Sequence, residues 1–344
     1  MSEAITFIAD VHGDRRALRE SLVQAKRAER RGSSLKILSP GMIMQTGDLL
    51  DRGNENLGTL ETILEIMEQT KTILLAGNHD IVALDALNNF DDPEAWRMWM
   101  KNGGHTVLRE VAKKYRLLLS KESTEFPVSL KNVDESRKPR IQNSWSDLVQ
   151  KRRMGCYDFP TAAEKTRELF LDGQFAKIFD AMDLISEPRE GVIAVHAGID
   201  NIHAQQGSKH INKQFNDAKE SGNFTKFGSH ARDGKVVWMR KEEEPQGKPL
   251  TKDTAETLKE NGRYVVIHGH NLLGNGKQEL EMCHGIAVMN GDTGMSRGYK
   301  RVPNTWGYIH LDEYGNITAN SQAGGDRDFG KVGKKSYRKP KQLK

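Results

Sequence analysis

The chain is poor in cysteine, in aromatic residues and in long apolar runs. Its two cysteines, Cys156 and Cys283, exclude a disulfide-stapled scaffold and lack metal-ligand spacing, so they read as reduced thiols. No apolar run approaches the ~20 residues a membrane helix needs. Met1-Ser2-Glu3-Ala4 runs into Ile5 with no charged leader, apolar stretch or cleavage site. A cytoplasmic protein is therefore expected, unless it is exported without a leader. Aromatics are 7% of the residues and are not interleaved with basic ones, so no nucleic-acid-binding pattern is present.

The body also lacks the positive excess that the net charge of +5 suggests. Residues Lys331–Lys344 hold seven of the 52 basic residues and none of the 47 acidic ones, which leaves the remainder near neutral. The segment 331–344 is too polar to bury itself and is expected to be a disordered tail. It is either simply solvated or a contact for an acidic partner.

Five short segments stand out. They are Asp10-Val11-His12-Gly13, Gly47-Asp48-Leu49-Leu50-Asp51-Arg52-Gly53, Gly77-Asn78-His79-Asp80, Val195-His196-Ala197-Gly198 and His268-Gly269-His270-Asn271. Each follows an apolar run of strand-like composition: 5–8, 42–44, 73–75, 192–194 and 265–267. Asp, Asn and His at strand ends are oxygen and nitrogen ligands on rigid supports, as a pair of divalent cations requires. Asp10 and His12, two apart, would point to one side of an extended chain and grip one cation. Asp48 is the natural bridge, because a carboxylate can hold two metals roughly 3.5–4 Å apart. Arg52 offers a planar fork for phosphate oxygens. Mixed oxygen and imidazole ligands suit Mn, Fe, Zn or Co, with manganese expected.

The order and spelling of these segments resemble the calcineurin-like metallophosphoesterases, and Asp51-Arg52-Gly53 resembles the phosphoprotein-phosphatase branch. The resemblance implies an α/β fold: a β-sandwich of two mixed sheets flanked by helices, with a largely helical insertion. It implies a second metal surrounded by Asp48, Asn78, His196 and His270. It implies attack on phosphorus by a metal-bridging hydroxide, with His79 protonating the leaving group and Asp51 orienting it. Histidine titrates near neutrality, and a carboxylate neighbour favours its charged form. A second arginine is usual in the branch, and Arg240, in Trp238-Met239-Arg240, stands where it is placed. His268 reads as a residue behind the ligands rather than a ligand.

Trp238-Met239-Arg240, Gly269-His270-Asn271, 281–287 and 291–298 resemble the Shewanella-like protein phosphatases. Asn102-Gly103-Gly104 near Trp99 is similar to the bacterial and phage side, including lambda-type phosphatases and diadenosine tetraphosphatases. Asn271, where threonine is common, is one departure, and the insertion is another. The expected activity is hydrolysis of phosphomonoesters on phosphorylated protein or peptide. Hydrolysis of a dinucleoside polyphosphate is the alternative, and it would need a stacking platform such as Trp96, Trp99 or Tyr157.

Along the chain, strands at 4–9, 42–46 and 72–76 alternate with helices at 15–31, 57–67 and 81–87. This predicts a mostly parallel sheet with the ligands at one edge. Helices are also expected from Pro93 and over 107–118. The catalytic domain is expected to span 1–330. Within it, 119–190 is an insertion, irregular over 120–142 and helical over 161–182, serving either as a cap over the site or as a buttress. Residues 199–235 read as loop, and Val236-Val237-Trp238 as a strand. Strands at 264–268, 286–290 and 305–311 are expected to close the second sheet, with a hairpin turn at Glu313–Asn316.

Overall fold

The computed structural model describes residues 3–38, 40–119, 134–136, 138–152, 154–228, 233–240, 249–298, 306–331 and 341–342. Strand β1 (Ile5–Ile8) leads into helix α1 (Arg15–Gln24), then a hairpin of β2 (Ala28–Arg31) and β3 (Ser34–Ile37), and β4 (Met42–Gln45). Next come α2 (Asn56–Gln69), β5 (Thr72–Leu75), α3 (Asn78–Asn88), α4 (Pro93–Asn102) and α5 (His105–Lys114). Helices α6 (Lys138–Arg152), α7 (Phe159–Arg167) and α8 (Ala176–Asp180) precede β6 (Met182–Asp183), β7 (Ile185–Arg189) and β8 (Val192–Val195). The remainder is α9 (Asn201–Ser221), α10 (Lys235–Trp238), α11 (Lys252–Glu260), β9 (Val265–His268), β10 (Glu279–Cys283), β11 (Ile286–Asn290), β12 (Gly307–Leu311), β13 (Asn316–Ser321), β14 (Gly325–Lys331) and β15 (Lys341–Gln342).

The strands form two large mixed sheets. One has the order β15-β14-β13-β12-β1-β4-β5-β6, the other β10-β11-β9-β8-β7. Strands β1, β4 and β5 are parallel neighbours in the first, and β8 and β9 are parallel neighbours in the second. Parallel neighbours end at the same edge, so the loops after them gather there.

The strands read as continuous apolar runs because both of their faces are buried. Ile5, Phe7, Met42, Met44, Val192, Ala194, Val265 and Ile267 belong to one buried cluster, which fills the space between the sheets. Their neighbours Ile8, Ile43, Ile193, Val195 and Val266 belong to the other, against the helices. This period of two is that of a pleated strand.

Several expectations are corrected. The helix expected over 15–31 stops at Gln24, with Lys26 at φ 55°, and the chain turns back as the β2–β3 hairpin. Charged residues of good helix propensity masked the end of the apolar stripe after Leu22. The loop expected over 199–235 contains α9, capped by Asp200 and kinked at Gly207. Its stripe of Ala204, Ile211, Phe215 and Ala218 is sparse but helical. Val236–Trp238 is helical, not a strand. The third strand expected in the second sheet, β12, instead pairs antiparallel with β1 in the first. The Glu313–Asn316 turn does join β12 to β13.

In the insertion, α6 starts at Lys138, inside the stretch expected to be irregular. Ile141, Trp145, Phe159 and Phe170 are buried in the helical core, where α6 packs on α4 and α7 on α5. Residues 120–133 of the expected cap lie outside the described residues. So does most of the tail, of which Lys341–Gln342 pairs with β14. Among the described residues, no helix is long and apolar enough to cross a membrane.

Candidate metal centre

All five sequence segments lie at the C-terminal ends of strands of the sandwich. The one after β5 differs from the rest: Asn78 and His79 form the first turn of α3 rather than a loop. Asp80 in the same turn fixes the neighbouring loop. Its carboxylate accepts from the amides of Asp48 (2.8 Å), Leu49 (3.1 Å) and Gly77 (2.9 Å).

Close approach is built in by glycine. A Cβ on Gly77 would lie 2.1 Å from Asp48 Oδ1, and one on Gly269 would lie 2.0 Å from Asp10 Oδ1. Strain is concentrated here as well. Of the eight non-glycine residues described with positive φ, five are His12, Asp48, Asp51, Arg52 and His270. A left-handed residue with a side chain costs roughly 1–2 kcal/mol, and such strain gathers at functional sites. His12 at φ 46° also corrects the expectation that Asp10 and His12 lie along one extended strand.

Two groups of ligand atoms, each within 4.8 Å, share Asp48. One is His12, Asp48 and His79, and the other is Asp48, His196 and His270. His12 Nε2 lies 3.4 Å from Asp48 Oδ2, and His196 Nε2 lies 3.5 Å from Oδ1. Asn78 Oδ1 is 3.1 Å from His196 Nε2. The far ring nitrogens are anchored: His12 Nδ1 donates to Leu50 O (3.0 Å) and His196 Nδ1 to Thr46 O (2.8 Å). This leaves each Nε2 as a lone pair facing inward. Asp10 is buried beside them, with both oxygens accepting from the His270 amide at 3.0 and 3.1 Å. His268 is outside both groups.

The electrostatics suit cations. Burial lowers His12 and His196, and burial followed by His196 lowers His270, which favours the neutral form that leaves a ring lone pair for a metal. Burial pushes Asp48 up, but the surrounding His196, His79, His12 and His270 hold it well below the usual carboxylate range. Buried His270 Nε2 has no hydrogen-bond partner. Neutral imidazoles, an ionised shared carboxylate and an orphaned ring nitrogen fit a divalent metal centre.

Beside the ligands, His79 Nδ1 is 2.7 Å from Asp51 Oδ2, and Trp99 Nε1 donates to Asp51 Oδ1 at 2.9 Å. Arg52 Nη2 lies 2.9 Å from His79 Nε2. Arg240 is exposed, yet its charge acts on His196 and His270.

Residues 4–160 match the calcineurin-like phosphoesterase family. The match takes in a little under half of the chain, the part that holds Asp10, His12, Asp48, Asn78 and His79. The family uses a dinuclear divalent metal centre. A stretch of 103 residues is 32% identical to serine/threonine-protein phosphatase 2 of Salmonella typhimurium, covering 29% of this chain and only 38% of that relative. The fold is similar to that of a cold-active protein-tyrosine phosphatase of a psychrophile Shewanella species. The TM-score is 0.58 at 15% identity, over 95% of this chain and 80% of that one.

Two residues escaped the sequence reading. Trp99 appeared there as an aromatic near a glycine pair and as a possible stacking platform, and nothing in the sequence ties it to Asp51. Asp292 is wholly buried, and its charge acts on Asp10. A signal for it existed: Gly291-Asp292 follows an apolar strand just as Gly47-Asp48 does.

Proposed function

We propose that the protein is a metal-dependent phosphoprotein phosphatase that hydrolyses phosphomonoesters, with two manganese ions, in the cytoplasm. The observation that carries this reading is His79, held between Asp51 and Arg52 and 4.0 Å from the shared ligand Asp48. That arrangement supports a proton donor and a phosphate clamp beside one group of ligand atoms.

Asp10, His12 and Asp48 would hold one cation, and Asp48, Asn78, His196 and His270 the other. When bound, the cations supply Lewis acidity toward a phosphoryl oxygen and toward water. Arg52 and Arg240 bind the non-bridging phosphate oxygens and orient the ester. Once Arg52 has turned to the phosphate, His79 takes up a proton on Nε2 and gives it to the leaving oxygen as the P–O bond breaks. Asp51 accepts from Nδ1–H and keeps Nε2 turned to the substrate, and Trp99 fixes Asp51. The phosphoprotein reading draws on the Salmonella relative and on the burial of Trp96, Trp99 and Tyr157. These three aromatics are core residues and offer no stacking surface to a nucleotide base.

The test is turnover by manganese-loaded protein of a phosphotyrosine peptide, a phosphothreonine peptide and diadenosine tetraphosphate. A clear preference for either peptide is expected. Preference for the dinucleotide would overturn the phosphoprotein assignment. Asp48→Asn should lose bound metal and activity together.

A further inference from the structure

The segment 290–298 threads past three of the site loops. The Gly291 amide donates to His268 O at 2.8 Å, and a Cβ on Gly291 would lie 3.3 Å from Ala9 Cβ. Ser296 Oγ donates to His12 O at 2.9 Å. A Cβ on Gly298 would lie 2.7 Å from the Arg52 carbonyl oxygen. Asp292 lies in this stretch, fully buried. Its amide donates to Asn290 Oδ1 (2.9 Å), and its Oδ1 accepts from the Gly294 amide (3.0 Å). Its Oδ2 is buried without a hydrogen-bond partner.

A buried carboxylate oxygen left unpaired is costly and calls for a specific compensation. Burial pushes the Asp292 carboxyl up to about 7, opposed by the Gly294 amide and raised further by Asp48, while the charges of Arg52 and Arg240 act the other way. Gly291, next to Asp292 in the chain, packs against Ala9, next to Asp10. Asp10, Asp48 and Asp292 are thus three buried carboxylates within electrostatic reach of one another. Divalent cations relieve such crowding, and carboxylates suit manganese.

We propose that Asp292 is a third carboxylate of the metal centre, one that strengthens cation binding beside Asp10. The inference rests on the metal-dependent reading above. It adds to that reading a residue from a segment outside the five ligand loops.

The test is calorimetric titration of metal-free protein with Mn²⁺, paired with elemental analysis of bound metal and thermal unfolding of the metal-free form. Wild type should take up two ions. Asp292→Asn keeps the shape and should bind one of the ions at least ~10-fold more weakly, in the range for groups that support metal ligands. Metal-free Asp292→Asn should unfold at the same or a higher temperature, because a charge has left a crowded buried cluster. Asp292→Ser should weaken binding similarly, and it covers the case in which the amide does not fold. Wild-type affinity in either folded variant would overturn the proposal. Wild-type protein that takes up no metal would instead overturn the metal-dependent reading, and this inference with it.

Discussion

Arg52 donates through Nη2 to Nε2 of His79 at 2.9 Å, while the other ring nitrogen of His79 is 2.7 Å from Asp51. A guanidinium can only donate, so Nε2 is an acceptor in this arrangement and Nδ1 carries the proton. The arginine therefore occupies the position from which His79 would deliver its proton. In the proposed reaction, an incoming phosphate would draw Arg52 onto its own oxygens and free Nε2.

His79→Asn should retain bound metal and lower turnover by ~10²–10⁴-fold on a phosphopeptide. The loss should be much smaller on an activated aryl phosphate, whose leaving group needs no proton. Steady-state rates on both substrates check this, and an equal loss on both would remove the acid role from His79.

Trp99→Phe should keep the aromatic packing and lose the hydrogen bond to Asp51. The buried Asp51 Oδ1 is then unpaired, at a cost of about 1–3 kcal/mol. Denaturant unfolding should register the loss. Turnover should fall with KM little changed, because the orientation of His79 is loosened rather than the phosphate clamp.

Gly269→Ala should abolish binding of the cation beside Asp10. The new methyl group would start 2.0 Å from Asp10 Oδ1, and something must move to admit it. Elemental analysis of the purified variant should find less metal than in wild type, with near-native circular dichroism.

Asp85→Asn should stabilise the protein in mild alkali and not in acid. Burial pushes Asp85 up to about 6, although Asn89 Nδ2 donates to it at 2.8 Å. The folded value lies above the unfolded one, so stability present below the unfolded value is lost as pH rises through about 6. The variant's advantage in Tm should be present at about pH 8 and vanish near pH 3.5.

The ligand loops were legible because their strands are buried on both faces and their polar ends are abrupt. Ile5–Ile8 followed by Asp10, or Val192–Val195 followed by His196, allows few other readings. What stayed hidden depends on partners far away in the chain. Nothing in Gly307–Leu311 says that it pairs with β1 rather than with β11. Val236 and Val237 carry strand propensity, but they are pinned into a helical turn by core contacts and by Ala197, whose amide donates to Val236 O at 2.9 Å. Propensity yields to tertiary context in so short a segment. Arg240 and His79 were placed by motif, whereas Trp99 reaches Asp51 only through folding.

The two hydrogen bonds from the His270 amide to Asp10 join residues 260 positions apart and on different sheets. In the proposed site the loops of the first sheet supply Asp10, His12, Asp48 and Asn78, but the second cation also needs His196 and His270 from the other sheet. Uptake of that second cation would then report that the two halves of the sandwich have docked. Removing the ions should loosen that seam before it loosens either sheet.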